Sequence, residues 1–91
     1  GLQPVALDQV SGSLGRSVWF DAQFHPLSEQ VRERWVSIAL AHLMFVPLEP
    51  VQLIQVGERY FVQDGHHRVS VSRVFGEHLI DAEVVVWEKA G

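Results

Sequence analysis

The sequence predicts an α+β fold, a small mixed β-sheet with two main helices. Two strand-like runs, 51–56 and 59–63, flank Gly57-Glu58, a Gly-X pair suited to a II′ hairpin. The run 59–63, the stretch 66–75 and the run 79–87 then read as a strand–helix–strand crossover, which should be right-handed. An apolar-periodic stretch over 28–44 supplies the other helix.

Each element has a local reason. Residues 4–8, PVALD, are apolar enough for a first strand. Residues 11–16, Ser-Gly-Ser-Leu-Gly-Arg, read as a flexible linker. They lack the Gly-Lys-Ser/Thr end that makes a phosphate-cradling P-loop. Val18-Trp19-Phe20 is an apolar patch of undefined state. Ser28 is placed to cap the long helix, with Glu29 in its first turn. Val31, Trp35, Ile38 and His42 step along one face, and Leu27, Leu40, Leu43 and Met44 widen that stripe. His42 is therefore expected in the core. Glu29, Arg32 and Glu33 mark the wet side. Pro47 and Pro50 prevent the helix from continuing.

The stretch 66–75 is ambiguous by propensity, because Val69, Val71 and Val74 are β-branched. Asp64 at the N-cap position and Gly76 at the C′ position favour a helix. In the last strand Ile80, Ala82, Val84 and Val86 share a face, and Asp81 and Glu83 begin the other.

Composition bounds the function. Residues 1–91 suit one domain in length. With 47% hydrophobic and 20% charged residues, the chain is too apolar for a disordered segment. It contains no cysteine, which removes disulfides, thiolate nucleophiles and cysteine-ligated metals and fits a reducing, cytoplasmic setting. No apolar run approaches a membrane span. The first residues, GLQPVALDQ, lack the basic-then-apolar pattern of a secretory leader. The net charge of −4 disfavours DNA as a partner.

One constellation carries chemistry, Asp64-Gly65-His66-His67-Arg68, at a strand-to-helix junction. The first turn of a helix has amides without intrahelical partners, and the macrodipole adds partial positive charge there. Gly65 lets backbone approach a ligand closely. Arg68 brings a permanent charge and a fork that matches phosphate oxygens. His66 and His67 can donate hydrogen bonds or add charge. These features together predict an anion pocket, most naturally for phosphate. Adjacent helical residues diverge by about 100°, so one histidine should face the pocket and the other pack or cap. Asp64 reads either as an N-cap bonded to the amides of His66 or His67, or as a magnesium ligand or general base. Arg68 reads either as a phosphate ligand or as the partner of Glu77 or Glu83 in a salt bridge. Arg73 is expected on a solvated helix face, and Glu49 as a loop carboxylate. Trp19, Trp35 and Trp87 read as packing residues.

From Val46 onward the sequence resembles the ParB/sulfiredoxin superfamily. The likeness rests on VQLIQV, the turn GE, RYFVQ, the Asp-Gly-His-His-Arg corner, a helix ending in Phe-Gly, and Ile80-Asp81-Ala82-Glu83-Val84. It is strongest to bacterial DGHHR proteins labelled ParB-like nuclease domains. The corresponding sulfiredoxin segment is Gly-Gly-Cys-His-Arg. His66 stands at its catalytic cysteine, so sulfiredoxin chemistry is excluded, while His67 and Arg68 match its phosphate-binding pair. In ParB proteins the segment is Gly-Glu-Arg-Arg and binds the triphosphate of CTP; Gly65 and Arg68 match it, and His66 and His67 do not. In ParB-like free-serine kinases a similar segment supports phosphoryl transfer.

The resemblance implies a nucleotide-binding, ParB/sulfiredoxin-like domain that takes ATP or CTP, with phosphoryl transfer or NTP hydrolysis as its chemistry. Gly65, His66, His67 and Arg68 would hold the phosphates, with Arg16 as a further candidate ligand. Asp64 and His67 are the candidate catalytic residues, and Asp64 or a histidine would orient Mg²⁺ or a nucleophile. No resident metal site is expected. Two alternatives stand beside this reading: a DNA-associated ParB-like nuclease or partitioning module, and a non-catalytic regulatory domain.

Overall fold

The computed structural model describes residues 1–13 and 29–88. The expected Ser28 cap, the patch at Val18-Trp19-Phe20 and Arg16 lie outside the described residues. The elements are β1 (Leu2–Ala6), a 3₁₀ turn (Leu7–Gln9), β2 (Val10–Ser13), α1 (Glu29–Leu43), β3 (Val51–Val56), β4 (Arg59–Asp64), α2 (His66–Val74) and β5 (Leu79–Val86). The strands form one mixed five-stranded sheet in the order β1-β5-β3-β4-β2. The expected α+β class holds, with one more strand than the sequence shows.

The central strands behave as their patterns require. β3 and β4 pair antiparallel across the tight turn, where positive φ falls on Gly57 at 62° and not on Glu58. β3 runs parallel to β5 and antiparallel to β4, so β4 and β5 run in opposite directions on either side of β3. α2 joins two antiparallel strands, and the right-handed crossover expected of 59–63, 66–75 and 79–87, which requires parallel strands, is not formed. Along β5, Ile80, Ala82 and Val84 are buried and Asp81 and Glu83 exposed. Val86 departs from the expected face and is exposed at the strand end.

Two N-terminal expectations are corrected. The first strand is Leu2–Ala6 rather than 4–8. It is an edge strand paired only to β5, so Pro4, which has no N–H, is tolerated there. The chain then turns so that buried Leu7 donates its N–H to the His78 carbonyl at 2.9 Å. The start of the supposed linker is β2, parallel to β4. That pairing joins segments far apart in sequence, and no local composition announces it. The Arg59 Nε–H donates to Ser11 Oγ and ties this edge further.

Arg73, expected in solvent, instead pins the same corner. Its Nη2 donates to the carbonyls of Leu7 at 3.0 Å and Val10 at 2.8 Å. α2 is helical despite its β-branched residues because Val69 and Val71 are fully buried. Burying a valine contributes about 1.5–3 kcal/mol, while its propensity penalty is below ~0.7 kcal/mol. α1 is the converse case. Ala39 is buried and Trp35 and Ile38 half-buried, but Leu40, Leu43 and Met44 are exposed rather than widening the inner stripe. His42, expected in the core, is half-buried at the rim. Its Nε2 lies 3.0 Å from Glu77 Oε1, and its ring stacks on Phe75 with centroids 5.2 Å apart.

Candidate functional site

The corner between β4 and α2 is built around Gly65. Its φ of 99° and ψ of 29° are left-handed, a conformation that strains any residue with a Cβ. A Cβ there would also lie 2.6 Å from Val51 Cγ1 and 2.8 Å from Val51 Cβ. Backbone angle and lack of space therefore both select glycine. The result is a sharp turn that swings α2 back over the first residue of β3.

Gly65, not Asp64, is the N-cap of α2, and no side chain caps the helix. Asp64 sits one residue too early for the expected role. Its Oδ1 accepts the Gly65 N–H at 3.0 Å, and its carboxylate is not spent on the first-turn amides. The N-terminus of α2 opens onto a cleft of about 180 Å³ lined by Arg34, Ile38, Asp64, Gly65, His66, His67 and Arg68.

The two histidines differ by burial. His66 is only 3% exposed, so the helix start is anchored through it. His67 is half-buried. Burial, and secondarily the Arg34 charge, hold the His67 pKa below the usual histidine value, so the ring is neutral at neutral pH.

Arg68 forms no salt bridge with Glu77 or Glu83. Glu77 faces His42, and Glu83 lies 3.6 Å from the Gly1 nitrogen. The Arg68 Nη1–H donates instead to the Glu49 carbonyl at 2.8 Å. Glu49 lies between Pro47 and Pro50, whose rings restrict the loop; its backbone rather than its carboxylate is the contact. The Arg68 Nε is buried and has no hydrogen-bond partner. One edge of the guanidinium is thereby fixed to the protein while Nε retains donor capacity.

Sequence reasoning overlooked Arg34. It stands one helical turn before Ile38, which lines the same cleft, and that i, i+4 spacing was the available signal. It reaches the corner because α1 packs along α2, where the Trp35 Nε1–H donates to Ser70 Oγ at 2.7 Å. Among the described residues no three His, Cys, Asp or Glu side chains gather into a metal site. No helix among them is long and apolar enough to cross a membrane.

No protein-family model and no curated protein matches the sequence. Solved structures do match it. Sulfiredoxin from Arabidopsis thaliana superposes with a TM-score of 0.70 at 15% identity, over 96% of this chain and 86% of the other. The C-terminally truncated chromosome-partitioning protein ParB from Caulobacter crescentus, complexed with CTP-γ-S, gives 0.67 at 11% identity, over 98% of this chain and 46% of ParB. A conserved hypothetical protein from Pyrococcus furiosus gives 0.62 at 14% identity, over 99% of this chain and 34% of that one. The chain thus spans most of the sulfiredoxin but less than half of the other two. At these identities the likeness establishes the architecture: this is a ParB/sulfiredoxin-like fold.

Proposed function

We propose that residues 1–91 form one nucleotide-binding domain whose cleft at the start of α2 holds the phosphate chain of ATP or CTP. The observation that carries this reading is that two arginines, Arg34 and Arg68, line the cleft at the N-terminus of α2, which no side chain caps by a hydrogen bond. Helix N-termini and arginine forks are the two general protein devices for phosphate. The CTP-γ-S in the ParB structure supports the choice of ligand class.

The cleft is smaller than the ~300–1,000 Å³ that encloses a drug-sized ligand, so it suits the phosphate end of a nucleotide. Gly65 allows close backbone approach. His67, being neutral, donates one N–H rather than a charge. Asp64 is exposed at the mouth and would repel a bare phosphate. Its carboxylate is placed to work through Mg²⁺ shared with the phosphates or to accept a proton, and phosphoryl transfer would then rest on positioning and charge neutralisation.

The test is a thermal-shift series with ATP, CTP and ADP, with and without Mg²⁺. A ligand present at about 100 times its Kd adds about 2.7 kcal/mol, about 11–22 °C for a domain of this size. Arg68→Ala should abolish the rise, and Arg34→Ala should weaken binding about tenfold. No shift with any nucleotide at millimolar concentration sinks the proposal. Asp64→Asn separates the two roles of that residue. It should strengthen Mg²⁺-free binding and remove any gain from Mg²⁺.

A further inference from the structure

The corner that shapes the cleft also sets a nucleophile beside an electrophile within the chain itself. Asp64 is the last residue of β4 and His66 the first of α2, so Gly65 alone links the two elements. The Gly65 N–H donates to Asp64 Oδ1 at 3.0 Å. Reacting groups held about 3–3.5 Å apart are placed for an intramolecular step. Rotation of the carboxyl about Cβ–Cγ turns the face of its carbon towards that nitrogen without moving the backbone. Gly65 has no Cβ to screen the approach. Asp64 is exposed, so water reaches the carboxyl.

We infer that Asp64–Gly65 is a site of spontaneous backbone rearrangement, where the aspartyl linkage converts to an isoaspartyl one through a cyclic succinimide. In the first step the Gly65 nitrogen bonds to Asp64 Cγ, and its proton leaves with the hydroxyl of the protonated carboxyl as water. In the second, water adds to one of the two ring carbonyls. Breaking the new N–Cγ bond restores aspartate. Breaking the bond from that nitrogen to the Asp64 main-chain carbon leaves the chain running through Cβ and Cγ, with the α-carboxylate as a branch. The water lost is regained, and no oxidant or reductant takes part. The sequence holds no asparagine, and its other aspartates, Asp8, Asp21 and Asp81, precede Gln9, Ala22 and Ala82, each with a Cβ in the way. Ala82 is in addition fully buried within β5.

The rearranged chain cannot keep the corner. Isoaspartate adds one backbone bond, about 1.5 Å, between β4 and α2. Space is lacking for it, since even a Cβ on Gly65 would lie 2.6 Å from Val51 Cγ1. The longer link pushes the start of α2 away from β3 and carries Arg68 with it. Loss of the cleft is the functional consequence, and that consequence, unlike the chemistry, rests on the phosphate-binding reading.

The test is to incubate the folded chain for weeks at physiological temperature and neutral pH and digest it with trypsin. Isoaspartate is read by enzymatic methylation of its α-carboxylate. Label should accumulate in the peptide 60–68, several-fold above the peptides that carry Asp8 or Asp81. Asp64→Glu, which must close a larger ring, should stay unlabelled there. Asp64→Asn, which loses ammonia in place of water, should rearrange faster than the wild type. The free peptide 60–68 presents the same residues without the fold, and the folded chain should convert at a comparable rate. A folded chain that stays unlabelled while the free peptide converts overturns the inference. So does label spread evenly over the aspartates, or a folded Asp64→Asn chain that does not rearrange. The isolated isoaspartyl chain should melt below the fresh one, and equal melting temperatures would overturn the account of the corner. A fresh chain that binds no nucleotide yet rearranges at Asp64 upholds this inference and sinks only the reading of the cleft.

Discussion

The two helices finish in the same way and are used in opposite ways. α2 closes in a Schellman motif, with the Glu77 N–H on the Ser72 carbonyl and the Gly76 N–H on the Arg73 carbonyl, both at 3.0 Å. Gly76 takes the left-handed position at φ 69°. α1 makes the same pair of bonds with Phe45 in the place of glycine. The nine residues of α2 bury five of their side chains, including Val69 and Val71. The fifteen residues of α1 hold Leu40, Leu43 and Met44 outside. The helix with poorer propensity is the core element, and the helix with the better sequence is a surface one. Burial, not propensity, assigns the roles.

The largest expected effect falls at the start of α2. Gly65→Ala meets both a left-handed φ and the Val51 side chain, and should cost about 3 kcal/mol or more. The melting temperature should drop by more than ~10 °C, with partial rescue by Val51→Ala. An unchanged melting temperature would show that the corner can re-form without glycine.

Truncation then compares the helices directly. Val69→Ala should cost about 2 kcal/mol through the cavity it leaves, and Leu43→Ala less than ~0.5 kcal/mol in the dilute chain, read from urea midpoints. Equal losses would contradict the division of labour. Trp35→Phe removes the hydrogen bond to Ser70 that joins the helices and should cost about 1 kcal/mol.

The smallest effect is one of pH. His67 has a folded pKa below its unfolded value, chiefly through burial and then through Arg34. Between those two values the unfolded chain binds more protons, so stability should decline as pH falls below about 6.5 and level off once the folded pKa is passed. His67→Gln should flatten that limb of the curve. An anion in the cleft favours the protonated ring, so sulfate, which does not titrate here, should bind more tightly at pH 5.5 than at pH 7.5.

Much of the candidate site could be read directly from the chain. Asp-Gly-His-His-Arg between a strand and a helix announced a glycine corner and an arginine at a helix start, because those are consequences of local backbone geometry. Its electrostatic partners lie elsewhere in the chain. Arg34 comes from another helix and the Glu49 carbonyl from a loop nineteen positions before Arg68. Asp64 was misassigned by one residue, since whether a carboxylate or a glycine occupies the cap depends on where β4 releases the chain.

By itself the sequence determined the strand runs of β3 and β4, the period-2 strand β5, the hairpin turn at Gly57, the glycines that end β4 and α2, and an acidic, cysteine-free composition. All of these depend on residues within a few positions of one another. Tertiary structure alone decided that residues 10–13 join the sheet beside β4, that Arg73 clamps the N-terminal corner, that Arg34 and Arg68 line one cleft, and which side of α1 faces inward. Pairings across long loops and the choice between two apolar faces depend on what packs alongside, and a leucine at helical spacing reads the same whether its neighbour is its own core or another molecule.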